Sequence, residues 1–586
     1  MSTTAPKTGD QSYTRPGEHT TAAAMGKQYE HQFAASEQAD KSAARTSDGE
    51  VSSGQYAQGS RNLQDHLTPD LYHLEFHHPL EKFVGRWPLR WLLRRLSEKG
   101  RDGATALERI LDSYKAAPAG SAEAASKDGA SATASPPELG LWRRMKYWPV
   151  HKFIDRMRGK TDVATFKQKL SQNRPTVRGL VIVVRSVGEF GLTTPQKFTA
   201  PLFAVWNFTN RCNLTCKHCY QDSEHSTLSD ELTLAEKLDL VDQMGKAYLP
   251  MLALSGGEPT ISKDLIPVIE RAKSYGMHLT IATNGTTMTE EFAARLATAG
   301  LRYVEISLDS VDPARHDAFR GQAGLWEKTV RGARIVAKTP GLRLGIAMCV
   351  HQGNFHEVRE MIRFAEHDLG AGCFAHFNFI PVGRGLRMVS GDITPRQREE
   401  LLGILNEKMQ AGGMGVISTA PQLGRVCLAG SALEGKAACS HAGNSSSVKA
   451  RVVAKYLGGC GAGRTYVCIE PNGNITPCVY LPHRVMGNIR QANFLDIYRK
   501  SVFWDVLNDR KLRLHHCEVC ALKDYCGGCR ARADAYFGQL HAGDPGCLFN
   551  QKHWQKLVDD GVAIVGDDAA TPAGDVKLTA TRHGPA

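Results

Sequence analysis

Residues 203–219 read FAVWNFTNRCNLTCKHC, an apolar run followed by three cysteines, Cys212, Cys216 and Cys219, within eight positions. The run fits a buried strand. Three thiolates on the loop after it can hold three irons of a four-iron cluster and leave the fourth iron open. An open iron is useful only where something else binds it. The same spacing also permits a zinc site that lacks its fourth ligand, or one that takes it from His218.

Downstream, short apolar runs alternate with amphipathic patterns. After the first run come MLALSGG (251–257), HLTIATNG (278–285), YVEISLDS (303–310), RLGIAMCV (343–350) and FAHFNFIPVG (374–383). Helix signals lie between them. Thr233 with Glu236, and Asn354 with Glu357, read as capping boxes. Phe292 and Leu296 share a face before a stop at Gly300. Six strands alternating with helices predict a parallel sheet with right-handed crossovers. Curled, it is a partial barrel whose reactive end is the carboxyl end of the strands.

Polar residues gather at that end. Ser255-Gly256-Gly257-Glu258-Pro259 closes the second strand. Its glycines let backbone approach a ligand, and its glutamate can accept from an ammonium. Thr283-Asn284-Gly285 closes the third, and Ser307 and Asp309 close the fourth, where they suit ribose hydroxyls. Each alone is ordinary turn chemistry. Four in succession, headed by three cysteines, are a site.

The chain has 586 residues, 42% hydrophobic and 23% charged, with a net charge of +12. That length holds two or three domains. No apolar run is long enough to span a bilayer. The amino terminus has no apolar segment of signal-peptide type, and the expected location is cytoplasmic. The 15 cysteines all lie at or beyond Cys212, and eight fall between Cys460 and Cys547. In a reducing compartment such clustering points to metal rather than disulfides.

Cys212-x3-Cys216-x2-Cys219 followed by Gly-Gly-Glu-Pro resembles the radical S-adenosylmethionine (SAM) enzymes over roughly residues 200–385. The resemblance implies an α/β fold, a partial (β/α)6 barrel. It also implies an open iron that chelates SAM, whose reductive cleavage gives a 5′-deoxyadenosyl radical that abstracts a substrate hydrogen. Gly256, Gly257 and Glu258 would meet the methionine end, with Thr283 and Asn284 beside them. Ser307 and Asp309 would meet the ribose or carboxylate, and Arg320 the SAM carboxylate. The position before Cys219, usually aromatic in the family, is His218.

Eight later thiols are the number needed for two fully ligated four-iron clusters or two zinc sites. Cys460, Gly473 and Cys478, then Cys517-x2-Cys520-x5-Cys526-x2-Cys529 and Cys547, resemble the SPASM extension of anaerobic sulfatase-maturating enzymes and peptide maturases. The usual last spacing of that quartet is three residues, not two. By resemblance Cys460, Cys468, Cys478 and Cys529 hold one auxiliary [4Fe-4S] cluster, and Cys517, Cys520, Cys526 and Cys547 the other. Cys526-Gly-Gly-Cys529-Arg-Ala-Arg-Ala, the closing Asp-Pro-Gly-Cys547 and Phe379-Ile-Pro-Val-Gly383-Arg384-Gly385 also resemble radical SAM enzymes that edit heme and heme d1 side chains. About 200 residues precede the triplet, against a short region in that group. Peptide, tetrapyrrole and lipid-like substrates stay open, and no acid, base or quenching residue is assigned. The implied partners are a ferredoxin or flavodoxin donor and a peptide or small-molecule substrate. A zinc-binding protein without catalysis is the opposing class.

Four cysteines remain. Cys349 reads as a buried residue of an apolar strand, with a radical-quenching role as the alternative, and Cys373 is given no role. Cys427 and Cys439 fall in a Gly/Ala/Ser-rich loop over the cavity. Residues 1–65 read as a disordered tail and 116–138 as a linker within a basic, aromatic extension, 66–199. Pro88 can open a helix there. Arg86, Arg90 and Arg94 form a ridge beside Phe83, Trp87 and Trp91, and Trp142–Trp148 repeats the mixture. Two readings follow for residues 80–160: aromatics packed on the barrel, or peripheral attachment to the inner membrane face. With no RNA-binding module in view, nucleic acid is not an expected partner. The remaining expected units are the barrel at 200–400, a connection at 401–455, the auxiliary domain at 456–550, and a helix and tail at 551–586.

Overall fold

The computed structural model describes residues 87–100, 104–112, 173–429, 437–439, 443–445 and 454–563, all within the second of two units, 67–586. The expected tail, the 116–138 linker, Phe83, Arg86 and residues 142–148 lie outside them.

Seven strands run parallel in chain order. They are β1 (Phe203–Asn207), β2 (Met251–Ser255), β3 (His278–Thr283), β4 (Tyr303–Ser307), β5 (Arg343–Val350), β6 (Cys373–Asn378) and β7 (Gly415–Ser418). The six expected strands all form. Most stop short of their apolar runs, because residues such as Gly256 and Gly257 turn outward over the sheet's end. β7 was not foreseen, since four residues of Gly-Val-Ile-Ser carry too little pattern. The sheet is not closed into a barrel.

β8 (Ala437–Cys439) and β9 (Gly443–Ser445) form a separate hairpin. β10 (Tyr466–Ile469) then returns to lie parallel to β1, followed antiparallel by β11 (Asn474–Thr476) and β12 (Gly487–Asn488). The order is β12-β11-β10-β1-β2-β3-β4-β5-β6-β7. One sheet therefore runs through the ranges read from sequence as barrel and auxiliary domain.

Helices cover the sheet with buried apolar faces. α1 (Trp87–Ser97) holds Pro88 in its first turn. α2 (Arg174–Phe190) buries Val181, Ile182 and Val187. α3 (Leu234–Lys246) starts with the expected Thr233–Glu236 capping box, and α4 (Glu290–Ala299) stops at Gly300. The second expected box does not form. Asn354 Oδ1 accepts from His351 N, and its Nδ2 donates to Asp309 O (2.8 Å) and Cys349 O (2.9 Å). Glu357 accepts from Ser310 Oγ and Val311 N. Both side chains are consumed tying the β4 and β5 ends together, so neither is free to cap.

The α1 arginines are also structural. Arg90 Nη2 donates to Glu189 O (2.7 Å) and Arg94 Nε to Gly188 O (2.7 Å), at the carboxyl end of α2 where cations are favoured. The aromatics face out instead: Trp87 is 76% and Trp91 49% exposed. This reverses the expected packing of aromatics inward and charges outward.

Arg178 pins α2 to the rest. Its guanidinium donates to Leu249 O (2.9 Å), Tyr275 O (2.8 Å) and Gly245 O (2.8 Å). Arg178→Met would leave these carbonyls without their donor. We expect a loss of about 3 kcal/mol, the scale of hydrogen bonds to a charged donor. Hydrogen exchange should localise the lost protection to α2; unchanged exchange there would rule out the anchoring role.

Candidate functional site

The Cys212–Cys219 loop is fixed from three sides. Gly257 N donates to Thr209 O (2.8 Å) and Glu258 N to Arg211 O (2.9 Å), so the end of β2 runs along the segment entering the loop. Gly256 sits at φ 110°, and a Cβ there would lie 2.8 Å from Thr209 O; one on Gly257 would overlap Arg211 O. These glycines are required for that main-chain approach. From the far side Arg384 Nε donates to Cys216 O (2.9 Å) and its Nη1 to Ser223 O (2.7 Å), while Arg384 N donates to Cys219 O (2.9 Å). From the third side Asn284 Nδ2 donates to Asn213 Oδ1 (2.8 Å).

The three thiols pack in one cluster with Leu214 and Leu325. Burial pushes the Cys212 thiol up to about 12, and the nearby Cys216 and Cys219 charges add to the shift. Burial also raises Cys216, opposed by Arg320. Burial thus disfavours the thiolate of Cys212 and Cys216 unless a cation joins it. A cluster of iron supplies that charge, and the donor set fits it. His218 is turned elsewhere: its ring stacks on Phe319 at 4.2 Å, and Phe319 stacks in turn on His351 at 4.3 Å.

The polar residues at the strand ends largely bind one another. Glu258 is buried. Its Oε1 accepts from Thr260 N (3.1 Å), Thr260 Oγ1 (2.5 Å) and Thr283 Oγ1 (2.8 Å), and Oε2 accepts from Asn284 N (2.8 Å). It braces the β2 and β3 ends, and any ammonium must share a carboxylate already engaged. Asp309 Oδ2 accepts from Arg320 Nε (2.7 Å), and Oδ1 from Cys349 N (2.8 Å). Both partners are buried, and Arg320 Nη1 lies 4.0 Å from Cys216 Sγ. Thus Asp309 and Arg320, read separately from sequence, form one ion pair against the thiol loop. Ser307 ends β4 half-buried.

The later thiols fall into two sets. Cys460, Cys478 and Cys529 belong to one apolar cluster, and Cys468 lies within electrostatic reach of Cys478. Tyr466 OH donates to Cys478 Sγ (2.5 Å). Cys517, Cys520, Cys526 and Cys547 influence one another in the same way. Gly528 N donates to Cys526 Sγ (3.4 Å) and Asn550 Nδ2 to Cys517 Sγ (3.7 Å), as donors do around cluster sulfurs. Burial pushes Cys478 and Cys526 up to about 12. Of the remaining cysteines, Cys373 starts β6 and is buried. Cys427 lies buried in the helix Gln422–Ala429 rather than in a covering loop, because Leu423, Val426 and Cys427 form an apolar face. Cys349 ends β5 half-buried, near Asp309 and Arg320.

Two arrangements had no sequence signal. Tyr220 OH donates to Asn207 Oδ1 (2.9 Å), Asn207 Nδ2 to Glu470 Oε2 (2.9 Å), and Cys468 Sγ lies 3.4 Å from Glu470 Oε1. This chain joins the residue after Cys219 to the second thiol field. The other is a fully buried charge network. Asp392 pairs with Arg398 (2.7 Å), in the helix Pro395–Ala411, and with Arg532 (2.6 Å). Arg532 also reaches Asp544 (3.2 Å), which accepts from Cys529 N (2.8 Å).

Residues 206–365 match the family model of the radical SAM superfamily, and 460–529 that of SPASM, an iron–sulfur cluster-binding domain. The AdoMet-dependent heme synthase of Methanosarcina barkeri is 30% identical over 351 residues, 60% of this chain and 97% of that protein. The pre-heme d1 synthase of Dinoroseobacter shibae is 29% identical over 355 residues, 58% of this chain and 85% of that one. Streptococcus suis SuiB, solved with S-adenosylmethionine, superposes with a TM-score of 0.51 at 16% identity, over 69% of this chain and 88% of that chain; the likeness is one of fold.

The Asp309–Arg320 pair has a pH signature. Burial opposes ionisation of Asp309, but Arg320, His218 and His316 outweigh it and hold the carboxyl down to about 2. A depressed carboxyl contributes stability above its unfolded pKa of about 3.9 and loses it as pH falls toward 2. Wild-type protein should therefore lose stability between pH 4 and pH 2, and Asp309→Asn should lack that component while being less stable at neutral pH. Parallel acid limbs in denaturation curves of the two proteins would refute the assignment.

Proposed function

The chain belongs to the radical SAM superfamily and carries a SPASM iron–sulfur extension, and on that premise we propose that it modifies a side chain of a tetrapyrrole. When bound, the SAM-site [4Fe-4S] cluster with SAM supplies a 5′-deoxyadenosyl radical for hydrogen abstraction, and the auxiliary clusters supply electron transfer or a ligation point. In this reading Cys212, Cys216 and Cys219 hold the first cluster. Cys460, Cys468, Cys478 and Cys529 hold the second, and Cys517, Cys520, Cys526 and Cys547 the third. Arg384 and the Gly256–Gly257 turn keep the thiol loop in place, and the Asp309–Arg320 pair lies beside it. An external one-electron donor of ferredoxin or flavodoxin type serves the first cluster.

One observation carries the substrate class. The two segments that resemble heme and heme d1 side-chain enzymes meet each other. Arg532, in the Cys529-Arg-Ala-Arg stretch, donates to Phe379 O (2.7 Å), the start of Phe379–Gly385, and that segment clasps Cys216 and Cys219 through Arg384. The relatives by that name support the same reading along almost their whole length.

The test uses the full chain reconstituted with iron and sulfide under anaerobic conditions. With SAM, dithionite and iron-coproporphyrin III, formation of 5′-deoxyadenosine should rise several-fold over the substrate-free rate, and the tetrapyrrole mass should change. Replacing Cys212, Cys216 and Cys219 together by Ala should abolish both and remove about four irons. Unstimulated SAM cleavage with an unchanged tetrapyrrole would overturn the substrate class, and undiminished cleavage in the triple variant would overturn the thiol assignment.

Peripheral attachment to a membrane is a separate proposal, favoured by the outward Trp87 and Trp91 on a basic helix. Among the described residues no helix is long and apolar enough to cross a membrane. Full-length protein should sediment with anionic vesicles at low salt and be released by salt. Trp87→Ala with Trp91→Ala should weaken sedimentation several-fold. Protein that stays in the supernatant at low salt would dismiss this reading.

A further inference from the structure

Around the two later thiol sets lies a group of cations that the sequence reading did not use. Arg510, Arg513 and Arg530 are buried, at 4%, 1% and 0% exposure. Among the described residues none of them makes an ion pair with a carboxylate, unlike Arg425 with Glu399 or Arg532 with Asp392 and Asp544. Asp524 is within electrostatic reach of Arg510 but makes no ion pair with it. Among the described residues their hydrogen-bond partners are main-chain carbonyls alone. Arg510 Nη2 donates to Gly458 O (3.2 Å), and Arg513 Nη2 to Leu507 O. Arg530 donates to Gly528 O (3.3 Å), Leu540 O (2.7 Å) and Ala542 O (2.8 Å). Five further nitrogens have no acceptor among the described residues: Nε and Nη1 of Arg510, Nε and Nη1 of Arg513, and Nη2 of Arg530.

The three lie close enough to repel one another. Arg510 and Arg513 each feel Arg530, and Arg513 also feels Arg510. Two of them reach both thiol sets. Arg510 is within electrostatic reach of Cys460 of one set and Cys526 of the other, and Arg513 of Cys460 and Cys517. Main-chain geometry makes room for them. Gly527 and Gly528, between Cys526 and Cys529, sit at φ 63° and 64°, and a Cβ on either would overlap Arg510 Nη1 or Arg530 Nη2. A fold does not gather three unpaired guanidiniums in a dry interior without an anion to meet them. A four-iron cluster on four thiolates is such an anion, and it gains negative charge on reduction.

We propose that Arg510, Arg513 and Arg530 are the built-in countercharge of the two auxiliary clusters, positioning residues that hold both clusters in the domain and favour their reduced state. This rests on the ligand assignment proposed above. Clusters held by the two thiol sets would carry more negative charge when reduced, and the fixed positive charge beside them would favour that state. Fixed positive charge in a low-dielectric interior acts strongly on such a couple, because little solvent is present to screen it.

The experiment is an EPR-monitored redox titration of the reconstituted full-length protein, with the SAM-site cluster in the same sample as internal reference. Arg510→Gln with Arg513→Gln should disfavour auxiliary reduction at least tenfold, a downward shift of about 59 mV for a one-electron couple. Arg510→Lys with Arg513→Lys keeps the charge and should stay near wild type. Limited proteolysis gives a second readout of opposite sign. In iron-free protein the Gln variant, relieved of unpaired cations, should resist cleavage of residues 454–563 at least as well as wild type. In loaded protein it should resist less. Gln variants that fail to load while Lys variants load fully also support the charge role. Unshifted potentials in fully loaded Gln variants, or Lys variants as defective as Gln, would overturn it in favour of packing. Wild-type protein that binds only about four irons would overturn the ligand assignment first, and the arginine role with it.

Discussion

β10 lies parallel to β1, with Phe203 opposite Tyr466 and Trp206 opposite Ile469. That pairing makes one sheet of two chain regions more than 200 residues apart in sequence. It puts Cys468 opposite Val205, only a few residues before the loop that carries Cys212. It also brings Glu470 to Asn207, which closes the hydrogen-bonded path from Tyr220 to the Cys468 region. Without it the second thiol field would be a tethered appendage. With it, the distance and orientation between the two fields are set by strand geometry, which is far stiffer than a linker. Groups held by the two fields are thereby kept at a fixed spacing, and a small misplacement of reacting groups is costly in rate.

Buried charge is distributed around this frame in two distinct ways. Near the strand ends several buried charges pair within the protein: Asp309 with Arg320, and Asp392 with Arg398 and Arg532. Removing either member of such a pair leaves an uncompensated charge, so these pairs specify geometry even where their net stabilisation is small. Among the later thiols the accounting is reversed. There, among the described residues, Arg510, Arg513 and Arg530 hydrogen-bond to carbonyls alone, and burial pushes the nearby Cys526 thiol up to about 12. The first region is electrostatically complete on folding; the second is completed by what it binds. Metal binding and folding are commonly coupled where ligands converge only in the native state.

Much of this was legible in sequence, and the limits have physical causes. Strands β1 to β6 were readable because each is an apolar run of strand length bounded by turn residues, and the Thr233–Glu236 cap because its signal is local. The three thiols of Cys212–Cys219 and the grouping of the later eight were readable as spacings. What sequence does not carry is which polar side chain reaches which. Glu258 was expected to be available to a ligand, yet its oxygens are occupied by Thr260, Thr283 and Asn284, contacts that exist only once β2 and β3 are adjacent. Asn354 and Glu357 fit a capping pattern locally, but tertiary partners at the β4 and β5 ends took both side chains. Arg90 and Arg94 fit a membrane-facing ridge equally well, and the carboxyl end of α2 claimed them.

The paired glycines show how one local choice serves opposite ends. Gly256-Gly257 lets two stretches of main chain touch, so that β2 can hold the segment that enters the thiol loop. Gly527-Gly528 lets guanidinium groups, not main chain, press against the backbone between two cysteines. In both places the missing Cβ is what permits the contact, and in both the contact places a defined group next to a thiol. Sequence reading takes Gly-Gly as a turn and is right about the backbone. What fills the space at the second pair is two buried guanidiniums, Arg510 at Gly527 and Arg530 at Gly528. A turn alone would tolerate Asn at such positions, whereas here any side chain would displace one of these arginines.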